Sequence, residues 1–209
     1  MKSLVNFNEE HYTYFISWLA QMIQEPHILP DTCWIFISEE GVGKDIFQKF
    51  VAACIGKTYT ANTEKLDQIC GTFNTLLGGK ILFTINETNP LESRQRIENI
   101  KYLVTATDLV IEEKYKNPIV CDNYCRFMFF SNKLFAFPAE TGNRRPIIFK
   151  SSEKYLPSSY GIEENRKYFV DLVALCKNPK YQSKFLHNTK VNFSYTHLPQ
   201  VPNFLCCQR

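Results

Sequence analysis

Apolar positions recur at helical spacing near the start of the chain, at Tyr12, Phe15, Ile16, Leu19, Met22 and Ile23. This predicts a packing helix over Glu9–Gln24, capped by Asn8 and closed off by Pro26 and Pro30. Cys33-Trp34-Ile35-Phe36-Ile37 is continuously apolar, as a strand covered on both faces requires. A tight polar loop over residues 38–44 follows, and residues 46–55 then predict a helix with Phe47, Phe50, Val51 and Cys54 inward. A second helix is expected over residues 65–77, broken by Gly78-Gly79, before a buried strand over residues 80–85 that ends at Asn86-Glu87. Pro90 opens a third helix running through Ile97, Ile100 and Leu103.

Leu109-Val110-Ile111 and Ile119-Val120-Cys121 flank a charged stretch, a hairpin signal. Residues 126–130 predict another buried strand, ending at Ser131-Asn132, and residues 146–149 a further one after Arg144-Arg145. Residues 167–176 form the last clear helical pattern. Strands alternating with helices predict an α/β fold, a sheet with helices on both faces.

Composition narrows the class. The chain has 209 residues, 44% hydrophobic and 22% charged, which is globular and fits one domain, or one domain with a small appendage. No apolar run reaches the ~18 residues of a membrane span, and the opening residues carry no apolar segment of secretory type. Eight cysteines occur with no C-x-x-C pair, and Cys121, Cys125, His187 and His197 do not follow metal-ligand spacing. The expected setting is intracellular and reducing. Net charge is only +3, but no acid follows Asp171 while Lys177, Lys180, Lys184, Lys190 and Arg209 do. The division expected is a helical lead-in over 1–30, a central domain over 31–176 and a basic extension over 177–209. That extension is either a solvated surface or a neighbour of nucleic acid.

The chemistry begins at Ser38-Glu39-Glu40-Gly41-Val42-Gly43-Lys44-Asp45. The phosphate-loop pattern G-x-x-x-x-G-K-[ST] is met at Gly43-Lys44, with Ser38 in place of the first glycine and Asp45 in place of the hydroxyl residue. Gly41 and Gly43 let backbone N–H groups face phosphates, the helix that follows presents its positive end, and Lys44 adds a point charge. The next strand delivers Asn86 and Glu87 to the carboxyl edge of the sheet, where open α/β folds bind ligands. A glutamate there can polarise an attacking water, or be an ordinary acid at a strand end. A third strand delivers Asn132 to the same edge. In Gly142-Asn143-Arg144-Arg145 the guanidinium groups suit charge on a transferring phosphoryl group, or a surface ion pair.

This ordered set resembles the superfamily 3 helicases, and within them the poxvirus-type primase-helicase ATPases of viruses, phages and plasmids. The resemblance rests on Glu40-Gly41-Val42-Gly43-Lys44-Asp45 as Walker A, then Phe73-Asn74-Thr75-Leu76-Leu77 and residues 80–87 as Walker B. It continues through Ile100-Lys101-Tyr102-Leu103-Val104-Thr105, residues 113–118 as the B-prime hairpin, Phe129-Phe130-Ser131-Asn132 as motif C, and the arginine motif. It covers roughly residues 14–176. It implies an AAA+-like P-loop NTPase with a mostly parallel sheet and a β-hairpin insertion, assembled into a homo-hexameric ring that moves on single-stranded or forked DNA. A primase or polymerase half would be a separate domain or subunit.

By that resemblance Glu40, Gly41, Val42, Gly43, Lys44, Asp45 and Ile46 hold ATP, and Lys44, Glu87, Asn132 and Arg144 or Arg145 carry catalysis. Asp45, Asn86 and Glu87 surround Mg2+, and Lys114 and Lys116 touch the nucleic-acid backbone. In an extended ribbon Tyr115, between those lysines, points the opposite way. The family usually has Ser or Thr at position 45 and an acid at position 86. Three readings stay open: an ATP-dependent helicase motor, an ATP-binding assembly module with little hydrolysis, and a small-molecule nucleotide kinase.

Overall fold

The computed structural model describes residues 1–86, 90–132 and 144–191. Helix α1 spans Glu9–Gln24 and starts where the Asn8 side chain accepts the His11 N–H at 2.9 Å. Five strands form one parallel sheet: β1 (Cys33–Ile37), β2 (Thr60–Thr63), β3 (Leu82–Asn86), β6 (Arg126–Ser131) and β7 (Pro146–Lys150). Their spatial order is β2-β3-β6-β1-β7. The first strand in sequence thus lies between the last two, the AAA+-like P-loop arrangement. Strands β4 (Asp108–Ile111) and β5 (Ile119–Asp122) form a separate antiparallel hairpin, inserted between α5 (Ile97–Thr105) and β6.

Period-two alternation along each strand builds two cores. Trp34, Phe36, Leu82, Met128, Phe130, Ile147 and Phe149 face one side, against Phe15, Trp18 and Leu19 of α1 and Phe47 and Val51 of α2 (Lys44–Ile55). Ring stacking continues across the strands, with Trp34 on Phe149 at 4.8 Å and Phe36 on Phe130 at 5.2 Å between centroids. Ile35, Phe83, Ile85, Phe127 and Phe129 face the other side, against Ile100, Leu103 and Val104 of α5 and Leu109 and Ile111 of the hairpin. Arg126 is the buried exception. Its guanidinium donates to the carbonyls of Glu25, Pro26 and Ile28, beyond the end of α1, at 3.3, 3.2 and 2.6 Å. Burial lowers its pKa to about 10.

The helix expected over residues 65–77 is not continuous. The chain forms a single turn, α3 (Asp67–Cys70), and a 3-10 turn at Thr75–Leu77. Between them a Cβ on Gly71 would collide with the Asp67 carbonyl oxygen, so glycine permits this turn and a side chain does not. Asn74 then leaves the helical path to bond the hairpin. The expected third helix is likewise two, α4 (Pro90–Gln95) and α5, with Arg96 between them. Beyond β7 lie α6 (Pro157–Tyr160), α7 (Ile162–Lys177) and α8 (Pro179–Val191). Helix α8 packs on α1, α2 and α7, with the Gln24 amide donating to the Thr189 carbonyl. Among the described residues, no helix is long and apolar enough to cross a membrane.

Candidate nucleotide site

Where β1 ends, the chain turns through residues 38–43 into α2. Gly41 and Gly43 hold φ of +84° and +94°, a region L side chains rarely enter, and this curls the backbone in front of the helix start. The first N–H groups of α2 have no partner within the helix and form an anion-seeking end. Lys44 is the first residue of α2, and its Nζ lies 3.4 Å from the Ser38 carbonyl oxygen across the loop.

A cleft of about 540 Å³ opens over this loop, lined there by Glu40, Gly41, Gly43, Lys44, Asp45 and Ile46. The sheet adds Asn86 and Phe130, and α7 adds Asn165 and Phe169. The structure thus brings Lys44, Asp45 and Asn86 together. Asn86 Oδ1 accepts a 2.7 Å hydrogen bond from Gln48 Nε2, one turn into α2. Asn132 follows β6 directly and is exposed, next to the loop's start, where the Ser38 N–H bonds the Ser131 carbonyl at 2.9 Å. Glu87, Gly142 and Asn143 lie outside the described residues.

Two features escaped the sequence reading. Glu64 also lines the cleft, directly after β2, a short polar strand with no apolar run to betray it. Phe169 presses on the loop, its ring 3.0 Å from where a Cβ on Gly43 would stand. On its far side a second pocket of about 610 Å³ shares Gly43, Ile46 and Phe169 with the cleft. Val42, Phe7 and the stacked pair Tyr155 and Tyr168, 4.1 Å between centroids, line it too.

Magnesium fits the cleft's donor set. Among the described residues no three His, Cys, Asp or Glu cluster as a self-sufficient metal cage. Asp45, Glu64 and the Asn86 amide nonetheless offer hard oxygen atoms beside the β1–α2 loop. Magnesium commonly takes only one or two protein oxygens and completes its shell from phosphate and water.

The arginines lie elsewhere. The Arg145 carbonyl accepts the Cys33 N–H at 3.0 Å, and Cys33 is level with Pro146, the first residue of β7. Both arginines therefore sit at the amino edge of the sheet, a five-residue strand of roughly 17 Å from the β1–α2 loop. Arg144 is exposed and Arg145 half-buried. Neither lines the cleft of its own chain.

The hairpin is anchored at both ends. Asn74 Nδ2 donates to the Val110 carbonyl at 2.9 Å, and Asn74 Oδ1 accepts the Glu112 N–H at 2.9 Å. Buried Asn123 donates to the carbonyls of Leu103 and Ala106 at 2.9 and 2.8 Å and accepts the Cys125 N–H at 2.9 Å. The tip departs from the extended-ribbon expectation. The Lys116 N–H bonds the Glu113 carbonyl at 3.1 Å, closing a turn in which Tyr115 holds φ +66°. Alternation fails in a turn, so Lys114 lies over the Tyr115 ring, 4.9 Å from its centroid, instead of opposite it. Lys116 pairs with Glu113 at 2.9 Å.

Comparison with known proteins gives the fold company. The A form apo structure of the NrS-1 C-terminal region matches with a TM-score of 0.73 at 17% identity, over 96% of this chain and 46% of that one. A second apo structure of that region, residues 305–718, matches with a TM-score of 0.67 at 19% identity, over 92% and 50%. A JCV helicase gives a TM-score of 0.45 at 14% identity, over 90% and 63%. The chain spans about half the length of the NrS-1 regions it matches. No curated protein sequence matches. A family profile does match, over residues 36–145, just past half of the chain and running from β1 through the arginine pair: the chain belongs to DUF5906, a family of unknown function.

Proposed function

We propose that this chain is the ATP-dependent motor domain of a nucleic-acid helicase or translocase of superfamily 3 type, acting in replication of a virus or mobile element. One observation carries the reading. Lys44, Asp45 and Asn86 line one cleft at the carboxyl edge of the sheet, while Arg144 and Arg145 stand at the opposite edge. A nucleotide held at the loop is out of reach of its own arginines, which suits a ring in which each subunit completes its neighbour's site.

The N-terminus of α2 and Lys44 bind the triphosphate, and the aromatic pocket beyond Phe169 takes the base. Glu87, following the last residue of β3, accepts a proton from the attacking water, and Asn132 orients that water. Asp45 and Asn86 would hold magnesium, which supplies charge neutralisation on the phosphates when bound. The hairpin meets the nucleic-acid strand.

A second reading, an ATP-binding assembly module with little turnover, draws on the Asn86 amide. Its oxygen is already engaged by Gln48, where superfamily 3 helicases usually have the magnesium-associated acid. ATP hydrolysis measured with and without single-stranded DNA, together with light scattering, separates the two. The motor hydrolyses ATP faster with the strand and forms a ring; the assembly module binds ATP and forms the ring without turnover. A monomer indifferent to DNA fits neither.

A further inference from the structure

Resting on the motor reading above, we infer that Tyr115 is the hairpin's principal contact with nucleic acid, stacking on an unpaired base of a single strand. Tyr115 is 91% exposed, more than any other large apolar side chain among the described residues. It occupies a left-handed backbone conformation that glycine or asparagine would hold more easily, so the turn presents an aromatic where local chemistry disfavours one.

Charge argues against the lysines as the main contact. From Asp108 to Asp122 the hairpin carries four carboxylates, Asp108, Glu112, Glu113 and Asp122, against Lys114 and Lys116. Lys116 already pairs with Glu113. Such a ribbon is a poor tracker of phosphates, whose attraction depends on net positive charge. Lys114 over the Tyr115 ring steadies that ring instead. Below the tip, the Asn74 and Asn123 hydrogen bonds and the buried Leu109 and Ile111 hold the ribbon to the core, so the ring sits on a firm platform. Base–aromatic stacking tolerates any sequence, as a translocating motor requires.

The test measures fluorescence anisotropy of a labelled 20-nucleotide single-stranded DNA between 50 and 200 mM salt, on the full chain. Tyr115→Ala weakens binding roughly 5- to 150-fold, the range for loss of one stacked base, and leaves the slope of log affinity against log salt unchanged. Tyr115→Trp keeps the affinity, and its emission is quenched when the strand binds. Tyr115→Ala binding as tightly as wild type overturns the inference and leaves the motor reading standing. So does a Tyr115→Ala variant whose light-scattering mass changes while its strand affinity does not, which assigns the ring to a protein contact. Wild-type protein that binds no strand overturns both.

Discussion

Gln48 donates its amide N–H to Asn86 Oδ1 at 2.7 Å, tying the second turn of α2 to the end of β3. The amide at position 86 therefore has a defined partner, and its oxygen reaches a cation only by sharing or leaving that bond. Asp45, exposed on the first turn of α2 and lining the same cleft, is the freer oxygen donor. If the pair is compensated around Mg2+, Asp45→Ser alone lowers Mg–ATP turnover, and adding Asn86→Asp restores most of it, since an aspartate accepts the Gln48 N–H and keeps one oxygen for the metal. Steady-state hydrolysis across a Mg2+ titration reads this. A neutral Asp45→Ser, or a double variant no better than the single, shows Asp45 serving only the helix start.

The two arginines are predicted to part company. Arg144 is exposed at the amino edge of the sheet, whereas Arg145 is half-buried with its backbone held by Cys33. Arg144→Ala lowers kcat by about 10³ to 10⁵ with ATP binding kept, in the manner of an arginine acting across a subunit boundary. Arg145→Ala acts mainly on thermal stability. Mixing Arg144→Ala with Lys44→Ala subunits returns part of the activity, because some interfaces then hold an intact loop facing an intact arginine. Turnover lost with Arg145→Ala instead reverses the assignment, and no recovery on mixing rules out action across subunits.

The buried elements were legible in the sequence because they carry simple periods. Asn8 and the apolar stripe delimit α1 as observed, and the run from Cys33 to Ile37 is β1 residue for residue. The sharp turn between β1 and α2 was legible through Gly41 and Gly43. Strand β2 was not, since Thr60-Ala61-Asn62-Thr63 has neither alternation nor an apolar run and is held by pairing to β3. Glu64 was hidden with it. Helix α8 was not legible, although it packs on α1, α2 and α7: its sequence is mostly polar and basic, and apolar contacts such as Phe185 against Phe50 are spaced too sparsely to form a broad stripe. The tip of the hairpin was misread for a local reason: period two holds along strands, and Tyr115 is in a turn.

Asn123 offers a stability test of the hairpin's anchorage. Its side chain is 3% exposed and satisfies three main-chain groups, two carbonyls on the α5 side and one N–H before β6. Each buried group left without a partner costs about 1–3 kcal/mol. Asn123→Ala should lower the unfolding free energy by roughly 3 kcal/mol in urea, the low end of that total, because some groups re-pair or gain water. Asn123→Asp recovers little, since a carboxylate cannot donate to the Leu103 and Ala106 carbonyls. A loss under ~1 kcal/mol for Asn123→Ala would mean that the Asn74 hydrogen bonds and the buried Leu109 and Ile111 hold the hairpin without it.

Alkaline stability tests the core on the face of the sheet opposite α1 and α2. Burial pushes the Cys33 thiol up to about 12 from an ordinary 9.0, and pushes the Cys125 thiol up as well. In the unfolded chain both ionise near pH 9, so between there and the folded values the native state holds more protons than the unfolded one. Stability therefore falls as pH rises through that window. From pH 8 to pH 10 the loss is about 1.4 kcal/mol for each fully buried thiol, roughly 3 kcal/mol for the pair. Arg126, with its pKa lowered to about 10, works in the opposite sense, because above that value the unfolded chain retains the proton that the folded one has lost. That opposition begins near the upper end of the interval and blunts the decline there. Urea midpoints at pH 8, 9 and 10 measure the slope. Cys33→Ala/Cys125→Ala should flatten it even if the variant is less stable throughout, since the prediction concerns the pH dependence and not the absolute value. A slope that survives in the double variant would assign the alkaline loss to other groups, Tyr14 first among them, whose hydroxyl is also raised by burial.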